Sequence, residues 1–412
     1  MPFGRIQRPS PREAGQVSRP FRIVVDARSV RARKSGVGNY TEALLRHVVP
    51  RARDMRFLVL RHPDATTPIV DHERVEELVF SGESRSTSTV LRMGWLRRGF
   101  EGYDLYHAPA DLVPLGLRCP WVVTVHDLMW VEAPKLASSF LPVRWANGLW
   151  YRSCIGYSIR GANAVIAISQ ATKDAIERVY VEHGQKTHVI HHGIDRNHYD
   201  VDNAGPREAL DRFLPSSQRY SLIVGQGSPY KNHAAMIRAF VEATRDEPDH
   251  KLLLVRRFTR IDFDMQRLLA RPEVKAKTIA LPFVTDRELL TLYVHAHMLL
   301  FASHYEGFGL PALEAMALGT AVLGSTAPAV QEITGDGALH ATPHDLADLT
   351  EKIRRLASDD ALRAKLIEAG AKRVASFQWA RCADQTLAVY RRALGQHEST
   401  APHLAPHASQ LR

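Results

Sequence analysis

The feature that most constrains this 412-residue chain is a regular alternation of short, β-branched apolar runs with helical stretches. Strands that are separated by helices along a chain pair side by side in the same direction, so the pattern predicts parallel sheets covered by helices. The chain is too long for one hydrophobic core of ordinary size, which predicts two such α/β domains. The clearest runs lie at 21–26, 121–127, 164–168, 221–225, 251–255 and 298–302.

Composition narrows the class of protein further. With 45% hydrophobic and 24% charged residues, the chain has the balance of a globular protein. Its three cysteines, Cys119, Cys154 and Cys382, are odd in number and far apart, so they predict neither a disulfide framework nor a metal site. We therefore expect a reducing, cytoplasmic compartment. No uncharged apolar run reaches the roughly 20 residues of a transmembrane helix, so no membrane span is predicted.

The net charge of +10 is concentrated at one end of the chain. Residues 1–100 hold 19 Lys and Arg against 10 Asp and Glu. A basic region of this kind attracts phosphates, nucleic acid or an anionic membrane surface. Within it, segment 91–100 interleaves large apolar residues with arginines, which is typical of a helix at an anionic membrane. An ordinary helix with one face in the core would show the same pattern, and the sequence leaves both open.

Segment 304–319, HYEGFGLPALEAMALG, predicts a loop that becomes a helix. Glycines on both sides of Phe308 allow a tight turn or a close approach to a ligand. Gly319 is placed to end the helix in a left-handed conformation. The amides at 308–310 would then lie at a helix N-terminus, which is a natural anion site.

The same segment resembles a known signature. Glu306 and Glu314, separated by seven residues with Gly-Phe-Gly-Leu-Pro between them, resemble the donor-binding pattern of retaining glycosyltransferases of the GT-B type. The branch is family four (group 1), which contains bacterial mannosyltransferases, and the resemblance covers about 21–394. It implies a GT-B fold, in which two Rossmann-like domains with parallel sheets face a central cleft.

The resemblance also implies an activity. We expect a hexose, with mannose favoured, to move from a nucleotide-diphosphate sugar to a glycan or lipid-linked saccharide in polysaccharide or lipopolysaccharide biosynthesis. No metal, cofactor or nucleic acid is expected to take part. Peripheral contact with an anionic membrane remains an expectation. The alternatives within the fold are an epimerase or a pyridoxal-dependent phosphorylase, and outside catalysis a protein that only binds nucleotide sugars or polyanions.

Residue roles follow from the resemblance on the donor side. Glu306 would face the transferred sugar, Glu314 would hold the nucleotide ribose, and Lys231 would meet the diphosphate. The loop amides of the signature would contact the same diphosphate; they belong to Phe308, Gly309 and Leu310.

On the acceptor side, His126 follows a buried strand and would lie between the donor sugar and the acceptor. Gly36 and Gly38 would face the donor phosphates from a glycine loop that precedes a helix at 41–49. At 192 the chain has His192 where the family has asparagine, so a contact by that side chain is not carried over.

One departure from the family pattern concerns charge. Many members have an arginine beside or shortly before the lysine, where this chain has Tyr230 and Gln226. We hypothesise that Arg256 or Arg257, at the end of the next predicted strand, supplies the second cation.

The predicted organisation has five parts. Segments 1–19 and 395–412 are expected to be disordered. Between them, 20–200 would form the acceptor-side domain and 201–376 the donor-nucleotide domain. A final helix, 377–394, would cross back to the first domain.

Overall fold

The computed structural model describes residues 19–32, 35–86, 89–90, 100, 102–137, 141–257, 263–281 and 284–395, without the side chains of 137, 141–144 and 256–257. Two sheets organise this part of the chain, and every strand pair in both is parallel, as the alternation predicts. The predicted disordered tails lie outside the described residues, apart from Arg19 and Gly395 at their inner ends.

The first sheet is built from residues 21–189. Its order is β3-β2-β1-β4-β5-β6-β7. The strands are β1 Phe21–Asp26, β2 Met55–Arg61, β3 Val75–Val79, β4 Leu105–Ala108, β5 Trp121–Val125, β6 Ala164–Ala167 and β7 Thr187–Val189. The described helices of this half are α1 Gly36–Arg51, α2 Met129–Glu132, α3 Pro134–Ala137, α4 Leu141–Gly161 and α5 Gln170–Val179.

The second sheet is built from residues 219–341. Its order is β10-β9-β8-β11-β12-β13. The strands are β8 Arg219–Gln226, β9 His250–Arg257, β10 Thr278–Ala280, β11 Leu299–Phe301, β12 Val322–Ser325 and β13 Ala338–Ala341. The helices are α6 His233–Ala243, α7 Phe263–Leu269, α8 Pro272–Lys275, α9 Asp286–Val294, α10 Leu310–Ala317, α11 Pro328–Thr334, α12 Leu346–Ser358 and α13 Asp360–Val374.

Both sheets reverse their winding direction at one point, between β1 and β4 in the first and between β8 and β11 in the second. Loops that leave neighbouring strands at such a point diverge, and the crevice between them is where ligands bind in sheets of this kind. Lys231 follows β8 and Glu306 follows β11, so the two predicted donor residues flank the switch point of the second sheet.

The last described helix, α14 Trp379–Ala393, returns to the first sheet. Trp379, Cys382, Leu387 and Tyr390 are buried in one cluster with residues of β1 and α1. The helix therefore ties the end of the chain to the first domain through its apolar face.

The start of α1 differs from the prediction of a glycine loop before a helix at 41–49. The helix begins at Gly36, so Gly36 and Gly38 lie in its first turn. The side chain of Ser35 caps this turn by accepting a hydrogen bond from the Gly38 amide at 3.1 Å. A Cβ on Gly38 would lie 2.5 Å from the carbonyl oxygen of Ser29. Close packing on Ser29 therefore requires glycine at 38, independently of any ligand.

The predicted membrane segment 91–100 lies outside the described residues except for Phe100. That ring is buried and packs against Tyr103 and Tyr106. Phe100 is thus a core residue rather than part of an exposed stripe. No helix within the described ranges is long and apolar enough to cross a membrane.

Candidate active site

Lys231 and Glu306 form an ion pair between the loops that follow β8 and β11. Lys231 Nζ donates to Glu306 Oε1 at 2.6 Å, and both side chains are largely buried. The ammonium also lies over the rings of Tyr230 and Phe301, at 5.1 and 5.3 Å from their centroids. An arriving diphosphate would have to take over the ammonium from Glu306, which would release that carboxylate toward the bound ligand.

The loop before α10 presents free backbone donors at the same place. Gly309 has φ of 118° and forms the N-cap of α10. Within the described residues, the amides of Phe308, Gly309 and Leu310 have no hydrogen-bond partner. Unpaired amides at a helix N-terminus and a nearby lysine are the kinds of group that bind phosphate oxygens in proteins. Gly319 has φ of 71° just beyond the helix, as predicted.

Glu314 lies on α10 and is held by two phenols. Tyr199 donates to one carboxylate oxygen at 2.7 Å and Tyr293 donates to the other at 3.0 Å. Burial raises the pKa of the Glu314 carboxyl above its usual range, although both hydrogen bonds act in the opposite direction. Each oxygen still has a lone pair for a further donor, which is what binding of ribose hydroxyls requires.

On the first domain, His126 follows β5 but its imidazole does not project freely into the cleft. The residue is 7% exposed, and Nε2 donates to the carbonyl oxygen of Pro109 at 2.7 Å. Burial lowers the pKa of His126, so a neutral ring is favoured. What His126 presents to the second domain is its backbone carbonyl.

Asp111 fixes the backbone of His126. Its Oδ1 accepts from the His126 amide at 2.8 Å and its Oδ2 pairs with Arg85 Nη2 at 2.6 Å. Asp111 is fully buried and has φ of 65°. This left-handed conformation is unfavourable in free energy for any residue other than glycine. The ion pair and the hydrogen bond together offset that strain.

The two domains touch at Gly307. A Cβ on this glycine would lie 1.9 Å from the carbonyl oxygen of His126. Ser169 Oγ donates to the carbonyl of Gly307 at 2.7 Å from the start of α5. Only glycine therefore permits this approach, which places Glu306 directly beside the end of β5.

Glu332 of α11 forms a second contact between the domains. Its carboxylate accepts from the amides of Gln170 and Ala171, at 2.7 and 2.9 Å, and from His191 Nε2 at 2.7 Å. It thus caps α5 from the other domain. Burial favours the protonated acid, but the hydrogen bonds from His191 and the two amides outweigh it, so the pKa of Glu332 lies below its usual range.

A stack of aromatic rings lies beneath these contacts. His192 lies between Tyr40 of α1 and Phe308 of the loop before α10, with centroid distances of 4.5 and 4.6 Å. Within the described part of the chain, neither ring nitrogen of His192 has a hydrogen-bond partner. Burial lowers the pKa of His192 well below its usual value, and His126 and His191 act in the same direction.

The structure brings Lys231, Glu306 and the 308–310 amides together and places Glu314 on the helix that follows. Gly36 and Gly38 belong to a helix turn rather than to a loop, as noted above. The register pairs Gly225 with Arg256 and Gln226 with Arg257. The end of β9 is therefore beside the strand that leads to Lys231, as the arginine hypothesis assumes. The side chains of both arginines lie outside the described residues, so their role stays a prediction.

Sequence reasoning missed Asp111, Glu332 and the two tyrosines that hold Glu314. Asp111 and Glu332 act on residues 15 and more than 130 positions away. No local pattern signals such a contact. Tyr199 lies four residues after Asp195 in the loop that links the domains. Its place in that loop was the one sequence feature that pointed to a role near the cleft.

Two parallel α/β domains that meet beside a lysine and unpaired helix amides define the GT-B class of fold. The first part of the chain, 34–198, matches the model of Glycosyltransferase Family 4, and 208–373 matches that of Glycosyl transferases group 1. The chain belongs to this family and is a glycosyltransferase. The sequence-based recognition and the predicted GT-B fold are thereby confirmed.

Relatives and solved structures agree with that placement. The O-antigen chain mannosyltransferase B of Escherichia coli is 25% identical over 73% of this chain and 77% of that protein. The O-antigen chain mannosyltransferase RfbU of Salmonella typhimurium is 27% identical over 54% of this chain and 57% of that protein. The structure of sucrose-phosphate synthase from Thermosynechococcus elongatus shares the fold, with a TM-score of 0.72 and 21% identity over 92% of this chain and all of that one.

Proposed function

We propose that this glycosyltransferase moves mannose from a nucleotide-diphosphate sugar to a glycan or lipid-linked saccharide, with retention of anomeric configuration. The observation that carries the proposal is the Lys231–Glu306 pair beside three free amides. The names of the two mannosyltransferase relatives support the sugar and the O-antigen-type acceptor. Because the chain belongs to a family of transferases, we prefer catalysis to the alternative in which the chain only binds nucleotide sugars or polyanions.

In the proposed reaction, the bond between the anomeric carbon and the diphosphate oxygen breaks while the acceptor oxygen bonds to that carbon. The acceptor proton leaves with the nucleoside diphosphate. Lys231 and the amides at 308–310 stabilise the negative charge that develops on the leaving group. Because these donors are already in place, little reorganisation is needed as that charge develops.

Glu306 has a second task in this scheme. Once the diphosphate takes Lys231, the freed carboxylate faces the sugar, where it orients hydroxyls and stabilises positive charge at the anomeric carbon. The contact between Gly307 and His126 closes the site from the acceptor side and excludes water. Transfer to an acceptor is thereby favoured over hydrolysis.

The test is a panel of nucleotide sugars that includes GDP-mannose, GDP-fucose, UDP-glucose and UDP-N-acetylglucosamine. We expect GDP-mannose to give the largest thermal stabilisation and a slow release of mannose without acceptor. With a mannosylated lipid acceptor, the one-bond C1–H1 coupling of the product in NMR should match the anomeric form of the donor. Preference for another sugar would overturn the mannose assignment, and the opposite anomer would overturn retention.

A further inference from the structure

A cavity of about 330 Å³ lies where the chain crosses between the two domains. Its walls come from three segments, namely the exit of β7, the end of α13 with the turn that follows, and the first half of α14. The volume is within the range of small-molecule sites. Neither Lys231 nor the amides at 308–310 line it, so it is distinct from the donor site.

The lining of this crossover cavity is basic. It includes Arg373, Arg381 and His191, and none of its described lining residues is acidic. Arg373 is fixed in place because its Nε donates to the carbonyl of Ile333 at 3.0 Å, while Nη2 contacts the carbonyl of Glu332. Neutral carbonyls leave the positive charge of the guanidinium uncompensated.

Arg381 stands on α14 at the other side of the cavity. It is exposed, and no ion pair or hydrogen bond joins it to any residue that the structure describes. The nearby carboxylate of Glu332 is already occupied by three donors, one of them from His191. Two guanidiniums therefore face one polar space, and no carboxylate of the described lining lies between them. Paired guanidiniums of this kind bind phosphate groups.

His192 supplies an independent observation at the inner end of the cavity. It lines the cavity, is 3% exposed, and has no hydrogen-bond partner at either ring nitrogen among the described residues. A buried imidazole without partners is costly, and a polar ligand in the adjoining space would satisfy it. The remaining polar lining, from Ser376, Gln378 and Gln385, adds uncharged donors.

We propose that the crossover cavity binds a small phosphorylated anion, separate from the nucleotide-sugar donor. The phosphate is held between Arg373 and Arg381, and the ring of His192 completes the contact at the inner end. The ligand touches the segment that leaves the first domain and the segment that returns to it. Its binding therefore stabilises the arrangement in which the two domains are in contact.

The experiment is a calorimetric titration with inorganic pyrophosphate. The Lys231→Ala variant is used because it removes the main cation of the donor site and leaves the crossover cavity intact. We expect one site in this variant, together with a rise in its melting temperature on binding. Adding Arg381→Ala should weaken that site at least about tenfold. Adding His192→Phe, which keeps the ring stack, should weaken it about three- to tenfold.

The matched control is Arg391→Ala on the same helix. Arg391 contacts Asp54 and does not line the cavity, so its removal changes the net charge equally and should leave pyrophosphate binding unchanged. The proposal is overturned if Lys231→Ala binds no pyrophosphate, or if Arg381→Ala and Arg391→Ala have equal effects. Neither result depends on turnover, so this experiment and the test of the proposed mannosyltransferase activity can fail independently of each other.

Discussion

The two faces of the cleft differ in the chemical groups that they present. The second domain presents a lysine, a glutamate and free amides, all within two loops that leave neighbouring strands. The first domain presents a backbone carbonyl of His126 above neutral, buried rings. The lysine, glutamate and amides form the charged face. The His126 carbonyl and the rings beneath it form the neutral face, although the acids Asp127 and Glu132 of the first domain lie close to that contact.

This difference fits a reaction in which charge develops on one partner only. In the proposed reaction the leaving diphosphate needs donors that are fixed beforehand, and Lys231 and the amides of the second domain would supply them. A cation on the opposite face would compete for the phosphate and hold the cleft shut after transfer. At Gly307 itself the domains meet through a backbone carbonyl and not through an ion pair.

The largest effect is expected from the charged face. Glu306→Gln removes the negative charge that would face the sugar, so turnover should fall about 10²- to 10³-fold. Nucleoside diphosphate affinity should change far less, because the diphosphate contacts Lys231 and the amides. Lys231→Ala should lose both affinity and turnover. Initial rates and calorimetry with the nucleoside diphosphate separate the two variants.

Glu351→Gln is the control for this comparison, since Glu351 is an exposed residue of α12. It should behave as the wild type. Equal and mild losses in Glu306→Gln and Lys231→Ala would contradict the division of roles between sugar and diphosphate.

The neutral face is tested by Gly307→Ala. The added methyl would meet the His126 carbonyl at 1.9 Å, so the domains cannot approach as they do here. We expect turnover to fall about 100-fold, because displacement of reacting groups by about 1 Å has that effect. The nucleoside diphosphate should still bind, because the proposed contacts from Lys231 and the amides at 308–310 do not depend on the approach at Gly307.

Gly148→Ala serves as the matched glycine variant, because a Cβ there would lie 3.4 Å from the carbonyl oxygen of Trp130, an ordinary van der Waals contact. Wild-type kinetics are expected. If Gly307→Ala keeps full activity, the closed contact at His126 is not part of the reaction.

The charged face could be predicted from the sequence because its parts are local. The loop, the left-handed Gly319 and the N-terminus of α10 lie in one continuous segment of 16 residues. The assignment of Lys231 came from the family resemblance, and the pairing of β8 with β11 brings this residue close to the loop. The family resemblance then added the roles of the two glutamates.

The neutral face was not predictable in the same way. The orientation of His126 depends on Asp111, whose left-handed backbone no local pattern indicates. The start of α1 was misplaced because two glycines disfavour a helix by propensity, while the cap from Ser35 and packing on Ser29 outweigh it. A tertiary contact decided the first feature, and a local cap together with packing on Ser29 decided the second.

The third prediction concerns Glu332, whose carboxylate forms a polar contact between the two domains. Glu332→Gln removes the charge that caps α5, which should cost about 1 kcal/mol of the free energy of unfolding. The pKa of Glu332 is lowered in the fold, so its contribution is present at neutral pH and is lost as pH falls through that pKa. Urea unfolding from pH 7 to pH 3 should show the difference from wild type shrinking with acidity.

A control for Glu332 is Glu368→Gln, an exposed acid that pairs with Lys372 on one helix. It should leave the unfolding free energy close to that of the wild type, because exposed ion pairs contribute little. A Glu332→Gln difference that persists unchanged at pH 3 would show that the carboxylate charge is not what holds α5.

The smallest effect is expected at Glu314, where the charged face is buried rather than open. Tyr199→Phe removes one of the two phenols, while Tyr293 continues to hold the other oxygen. The loss should be about 0.5 kcal/mol of unfolding free energy, and nucleoside diphosphate affinity should fall less than about tenfold. Denaturant unfolding and calorimetry measure the two quantities.

The pH dependence identifies the cause of that loss. Burial raises the folded-state pKa of Glu314, so the stability that its neutral form contributes is present at low pH and is lost as pH rises through that pKa. Removing the Tyr199 phenol raises the pKa further, because the ionised carboxylate loses a donor. The difference between Tyr199→Phe and wild type should therefore be largest at neutral pH and smallest at acidic pH. A difference that is constant with pH would mean that Tyr199 acts through packing and not through the carboxylate of Glu314.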